Sequence, residues 1–199
     1  GLRALARAGG TEIAALLDPA RRPVGLPALL CASAGNHGLA VAAAARLAGA
    51  PARIFLHPGV PPARADRIAA QGAEIVRVPG TYDDAVDAVA AAARAGGGIL
   101  VADTTDDPTD PVVGDVMAGY GVLSAEIRRQ VAAAGHRQPT HLYVQAGVGG
   151  LAAAMAEGLA GWLAPPAAVI VVEPAQAACV TAALAHGRPV RIPGDLDTA

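Results

Sequence analysis

The sequence contains no lysine: all 15 of its basic residues are arginines. None of its side chains can therefore form the covalent imine that a lysine amine makes with a carbonyl compound. Only the α-amino group of Gly1 is left for that chemistry. Aromatic residues make up 3%, so the core has to be built from alanine and small aliphatic side chains. The two cysteines, Cys31 and Cys179, stand almost a chain length apart. That spacing fits no zinc pattern, and two buried thiols are expected. A formal net charge of -2 provides no attraction toward nucleic acid or an anionic membrane. The longest apolar run, Leu39 to Ala50, is too short to cross a bilayer and carries Arg46. No leader-like segment is visible, and a cytoplasmic location is expected. The chain opens on Gly1, and Met117 and Met155 are its only methionines. That is the pattern expected of an internal piece of a longer protein.

With 53% apolar and 16% charged residues the chain is globular, and its apolar runs alternate in kind. Short β-type runs at 26–32, 53–56, 74–78, 99–102, 141–145 and 169–173 predict strands. Helices are predicted at 2–8, 39–47, 61–71, 83–94, 113–134, 151–163 and 175–186, with Thr11 capping a further short one and Thr81 capping 83–94. In the long helix, Val116, Tyr120, Leu123 and Ile127 recur at spacings that make one apolar face. Strand–helix alternation of this kind gives parallel sheet covered by helices, an α/β fold. The first four strands should share one sheet and the last two another. The acidic, proline-bearing segment 103–111 is the expected linker. It would separate a lobe at 1–105 from a lobe at 106–199, with a cleft between them. No repeat of solenoid type is present.

Ligands of parallel sheets bind at the carboxyl ends of strands, and two loops there are chemically equipped. Ser33-Ala34-Gly35-Asn36-His37-Gly38 gathers hydroxyl, amide, imidazole and glycine N–H groups at a helix start, a place that favours a carboxylate. Gly147-Val148-Gly149-Gly150 follows a strand and opens a helix, where bare backbone N–H groups can approach a phosphate. The second loop also satisfies a dinucleotide pattern through Gly147 to Ala152, and Glu173 ends the next strand about 20 residues on, as a ribose-binding acid would. An NAD-binding Rossmann-type domain is therefore the alternative from residue types alone.

Taken in order, Ser33-Ala34-Gly35-Asn36-His37-Gly38, Val144-Gln145-Ala146-Gly147-Val148-Gly149-Gly150 and Val171-Val172-Glu173-Pro174 resemble landmarks of the fold-type II pyridoxal-phosphate enzymes, the tryptophan-synthase-β-like family. Asp103-Thr104, Met117-Ala118-Gly119-Tyr120 and Pro139-Thr140-His141 extend the likeness over nearly the whole chain. Within that family the sequence is most similar to the diaminopropionate ammonia-lyases, then to the serine and threonine dehydratases. The resemblance implies two lobes of parallel sheet flanked by helices, incomplete at both ends. Residues 1–105 would form the smaller lobe, with the larger lobe as the alternative place for the first helix, and 106–199 part of the larger lobe. It implies pyridoxal 5'-phosphate as cofactor, a small amino-acid substrate and a homodimer when full length. Asn36 would bond the cofactor ring oxygen, while Ser33, Gly35 and His37 hold the substrate. Gly147, Val148, Gly149 and Gly150 would cradle the phosphate, and Asp103 would accept a proton. The implied reaction is β-elimination, yielding an oxo acid and ammonia.

The sequence departs from the family in two places. Ala34 stands where the ammonia-lyases carry an aspartate, and a methyl group cannot move a proton. Ala6, in Leu5-Ala6-Arg7-Ala8-Gly9-Gly10, stands where the resemblance puts the cofactor lysine. The chain alone is accordingly expected to be inactive, and a non-catalytic relic is a further alternative.

Overall fold

Pro27 has no N–H to give to a ladder, so the apolar run that begins at Leu26 becomes a strand only at Leu29 in the computed structural model. The structure describes residues 1–105, 107, 109–190 and 192. Residues 106 and 108 of the expected linker, and 191 and 193–199 of the expected tail, lie outside the described residues. The chain divides into two compact units, the first Gly1–Ala102 and the second beginning at Asp103.

In the first unit the order is α1 (Leu2–Ala8), α2 (Ile13–Leu17), β1 (Leu29–Cys31), α3 (Asn36–Ala48), β2 (Ala52–Leu56), α4 (Pro62–Ala69), β3 (Glu74–Arg77), α5 (Tyr82–Arg94) and β4 (Ile99–Leu100). The four strands form one parallel sheet in the order β3-β2-β1-β4. Central β1 is buried along its length, and Leu30 joins Phe55 and Val89 in the core. Strands covered on both faces read as continuous apolar runs, as Leu29–Cys31 does. On α3, Val41, Ala42, Ala45 and Ala48 form the buried stripe, and these small side chains let the helix lie close to the sheet. Gly49 ends α3 at φ 67°, and Arg22 secures two helix ends at once. Its Nε donates to the Leu16 carbonyl at 3.0 Å and its Nη2 to the Leu47 carbonyl at 2.7 Å, a cation at the negative ends of α2 and α3.

Thr81 caps α5 as predicted. The Asp84 N–H donates to its hydroxyl at 3.3 Å, and the Thr81 N–H returns to the Asp84 carboxylate at 2.6 Å. The Thr81 N–H, then its hydroxyl, hold the Asp84 carboxyl below its usual 3.8, outweighing the opposing effect of burial. Thr11 does not cap α2: the cap position is Glu12, with no side-chain bond.

The second unit holds α6 (Pro111–Ala133), β5 (His141–Gln145), α7 (Gly150–Leu159), β6 (Ala168–Val172), a 3₁₀ turn at Ala175–Ala177 and α8 (Cys179–His186). Strands β5 and β6 pair in parallel from His141↔Ala168 to Gln145↔Val172, in a sheet separate from the first. Val144, Ala146, Met155, Leu159 and Leu163 make the core between this sheet and α7. Leu163 is buried there although α7 stops at Leu159, four residues short of the predicted end. Asp110 caps α6 by accepting the Val112 and Val113 N–H groups at 2.7 and 3.3 Å, and Pro111 follows at the first helical position. Ser124 is buried and gives its hydroxyl to the Gly121 carbonyl at 2.9 Å. A Cβ on Gly158 would sit 2.7 Å from the Ser124 Cβ, so the contact of α6 with α7 needs a glycine there. Cys31 is buried, but Cys179 is only half-buried at the start of α8, which corrects the expectation of two buried thiols. No helix among the described residues is long and apolar enough to cross a membrane.

Candidate cofactor site

The first loop runs from the end of β1 into α3. Helix α3 begins at Asn36 rather than Leu39, because Gly35 takes the cap position in an extended conformation. Asn36 and His37 are therefore in the first helical turn. Ser33 accepts the Gly35 N–H on its hydroxyl oxygen at 3.3 Å, which closes the turn. A Cβ on Gly38 would overlap the Ser33 carbonyl oxygen, so the tight entry into α3 requires glycine. His37 faces inward: its Nε2 donates to the Val101 carbonyl at 2.9 Å. That bond ties the loop to the residue after β4 and leaves Nδ1 as the ring atom available to a ligand. Gly35 and Asn36 are exposed, and Ser33 and His37 are half-buried. The carboxamide of Asn36 is taken by no described group, so it is available to a ligand.

The second loop is built mainly from backbone. After buried Ala146, whose N–H donates to the Val172 carbonyl at 3.0 Å, the chain turns through Gly147, Val148 and Gly149 into α7. Gly149 caps the helix at φ 96°, a left-handed conformation that glycine adopts without a steric penalty. No atom lies within 4 Å of where a Gly147 side chain would begin. Val148 is 41% exposed. The first N–H groups of a ten-residue helix thus stand at an open backbone turn, with the positive end of the helix dipole behind them.

Three groups converge on the first residue of that helix. A Cβ placed on Gly150 would lie 3.4 Å from the Asp103 carbonyl oxygen, 3.8 Å from Met117 Sδ and 3.9 Å from Tyr120 Cε2. The structure therefore places the Asp103 main chain beside the first residue of α7. It also adds Tyr120, which the helical spacing had marked only as part of an apolar face. The available signal was chemical: a hydroxyl occupies a position where an aliphatic residue would serve the packing. Burial, then the Asp103 charge, raises the Tyr120 phenol above its ordinary 10.0.

Glu173 has a different duty from the one the dinucleotide alternative gave it. Its carboxylate accepts the Val180 N–H at 2.6 Å, the Thr181 N–H at 3.0 Å and the Thr181 hydroxyl at 2.9 Å. It caps α8 and breaks the predicted 175–186 helix into a 3₁₀ turn and α8. Burial pulls its carboxyl upward, but these hydrogen bonds outweigh it and leave the group below 4.5. A carboxylate so committed is not free to hold a ribose.

The profile of the pyridoxal-phosphate dependent enzymes matches residues 9–199. The chain belongs to that family. It is 35% identical over 177 residues to the diaminopropionate ammonia-lyase of Salmonella typhimurium, covering 84% of this chain and 42% of that protein. It is 32% identical over 187 residues to the biosynthetic L-threonine dehydratase of Corynebacterium glutamicum, covering 92% of this chain and 40% of that one. The crystal structure of holo diaminopropionate ammonia lyase from Escherichia coli superposes with a TM-score of 0.84 at 29% identity, over 96% of this chain and 49% of that one. The chain thus spans less than half the length of these relatives.

The glycine loop fits the phosphate of the family's cofactor. Its left-handed Gly149, the open space at Gly147 and the start of α7 form a cradle that side chains would fill. The chain has no lysine, so these residues would hold the group by hydrogen bonds and shape, with no covalent bond to it through a side chain.

Proposed function

We propose that this chain provides the cofactor and substrate loops of a pyridoxal-phosphate lyase that eliminates the β-substituent of a small amino acid, of the diaminopropionate ammonia-lyase type. The observation that carries the proposal is the Gly147–Gly150 turn opening α7 beside Asp103, in a chain 35% identical to such a lyase. Pyridoxal phosphate, when bound, supplies an electron sink to the α-carbon of an amino acid. The backbone N–H groups of Gly147–Gly150 hold its phosphate, and the Asn36 carboxamide orients its ring through the ring oxygen. Ser33, the Gly35 N–H and His37 Nδ1 bind the substrate, and the Asp103 carboxylate accepts a proton. The first unit acts as the smaller lobe and the second as part of the larger, in a protein that works as a cytoplasmic homodimer.

Ala6 lies half-buried on α1, where the resemblance places the lysine. The 199 residues alone therefore turn over no amino acid, and Ala6→Lys in the full chain is the activating change. Ammonia release then tests the proposal. The unchanged chain should release none from diaminopropionate, serine or threonine, and the variant should act on diaminopropionate first. Turnover by the unchanged chain would remove the lysine assignment.

A serine or threonine dehydratase is the second reading. Ala34 supports it, because a methyl group in place of the ammonia-lyase aspartate cannot serve a proton transfer, and so does the 32% identity to threonine dehydratase over 92% of the chain. Faster release from threonine than from diaminopropionate would decide for it.

A further inference from the structure

We propose that Tyr120 is a binding residue of the glycine-loop site, its phenol hydroxyl donating a hydrogen bond to an oxygen of the phosphate held at Gly147–Gly150. The inference rests on the phosphate assignment above and adds a side-chain donor to what is otherwise a backbone cradle. The Tyr120 ring lies against the first residue of α7, with Cε2 3.9 Å from the position of a Gly150 Cβ. Its hydroxyl is carried by the ring carbon next to Cε2, and so lies near the start of α7. No described protein group takes that hydroxyl, although the ring is half-buried.

Position on the helix supports the same conclusion. Ile127 packs on the core of the second unit, and Tyr120 occupies the same predicted apolar face two turns earlier. An aliphatic residue would complete that face, so the phenol oxygen is what tyrosine adds. The Asp103 charge is felt by the Tyr120 phenol, and a carboxylate near an anion repels it. A neutral donor suits such a neighbourhood, since it binds an anion without adding a charge. Burial and the Asp103 carboxylate both keep the phenol protonated past neutral pH, so the donor is present at neutral pH, where phosphate is a dianion.

Tyr120→Phe tests this, since it keeps the ring and removes only the hydroxyl. Pyridoxal phosphate and pyridoxal are titrated into the full chain and the variant. A lost hydrogen bond to a charged group predicts pyridoxal phosphate binding weaker by about tenfold, with pyridoxal binding unchanged. Unchanged affinity for pyridoxal phosphate overturns the proposal, as does an equal loss for both ligands, which would put the hydroxyl away from the phosphate. If the wild-type chain prefers pyridoxal phosphate and the variant matches it, only the Tyr120 assignment fails. If the wild type shows no preference, the phosphate assignment fails with it. A second readout does not depend on the variant's folding. Saturating inorganic phosphate should raise the pH at which a phenol of the wild-type chain ionises, and an unshifted titration overturns the proposal.

Discussion

The two strand-to-helix loops use glycine for opposite reasons. In the β1–α3 loop, Gly38 is needed because a Cβ there would overlap the Ser33 carbonyl oxygen. Its backbone is ordinary, and it is the space that is missing. In the β5–α7 loop, Gly149 is needed because its φ is 96°, and Gly147 has open space around it. The first loop offers side chains, namely Ser33, Asn36 and His37, and packs its glycine tightly to aim them. The second offers backbone N–H groups, with open space at Gly147.

That contrast predicts unequal costs for the same substitution. Gly38→Ala should be the more damaging, destabilising the first unit by about 3 kcal/mol, the upper end for overpacking. Chemical denaturation of the variant measures it, and a loss below that of Gly149→Ala would break the contrast. Gly149→Ala should cost about 1–2 kcal/mol for a left-handed residue with a Cβ. The Val180 Cγ2 at 2.9 Å from the new Cβ adds to the strain, and phosphate binding should fall more than stability does.

Glu173→Gln should have a smaller effect, about 1 kcal/mol, typical of a helix cap. Its pH dependence carries the sign of the shift. The folded-state pKa lies below the unfolded value of 4.5, so the carboxylate stabilises the fold above pH 4.5 and loses that effect as pH falls through the folded value. Unfolding curves of wild type and variant should differ at neutral pH and converge in acid. A constant difference would mean that the charge of Glu173 plays no part in the cap.

The strand-and-helix alternation was legible because apolar runs and capping residues carry it. β2, β3, β5 and α5 lie within a residue of their predicted bounds. What was missed turned on contacts between distant residues. Asn36 and His37 read as loop residues because polar side chains break helical periodicity, yet Gly35 caps the helix ahead of them. The predicted 175–186 helix was one apolar stretch in sequence, and only the reach of Glu173 to Val180 and Thr181 divides it. The predicted helix 151–163 ran through apolar Leu163, which is buried but without helical backbone. The glycine loop could be found from its spacing alone. Tyr120 could not, since its place beside Gly150 depends on how α6 packs on α7.

The most direct test of the account is the thermal stability of the 199 residues with pyridoxal phosphate, pyridoxal and NAD, since a ligand that binds only the native state raises its Tm. A sequence without lysine suits the measurement, because no side-chain amine can capture the aldehydes. Pyridoxal phosphate should raise the Tm, pyridoxal should raise it less, and NAD should leave it unchanged. Stabilisation by NAD without stabilisation by pyridoxal phosphate, or equal shifts with pyridoxal phosphate and pyridoxal, would contradict a phosphate site at Gly147–Gly150.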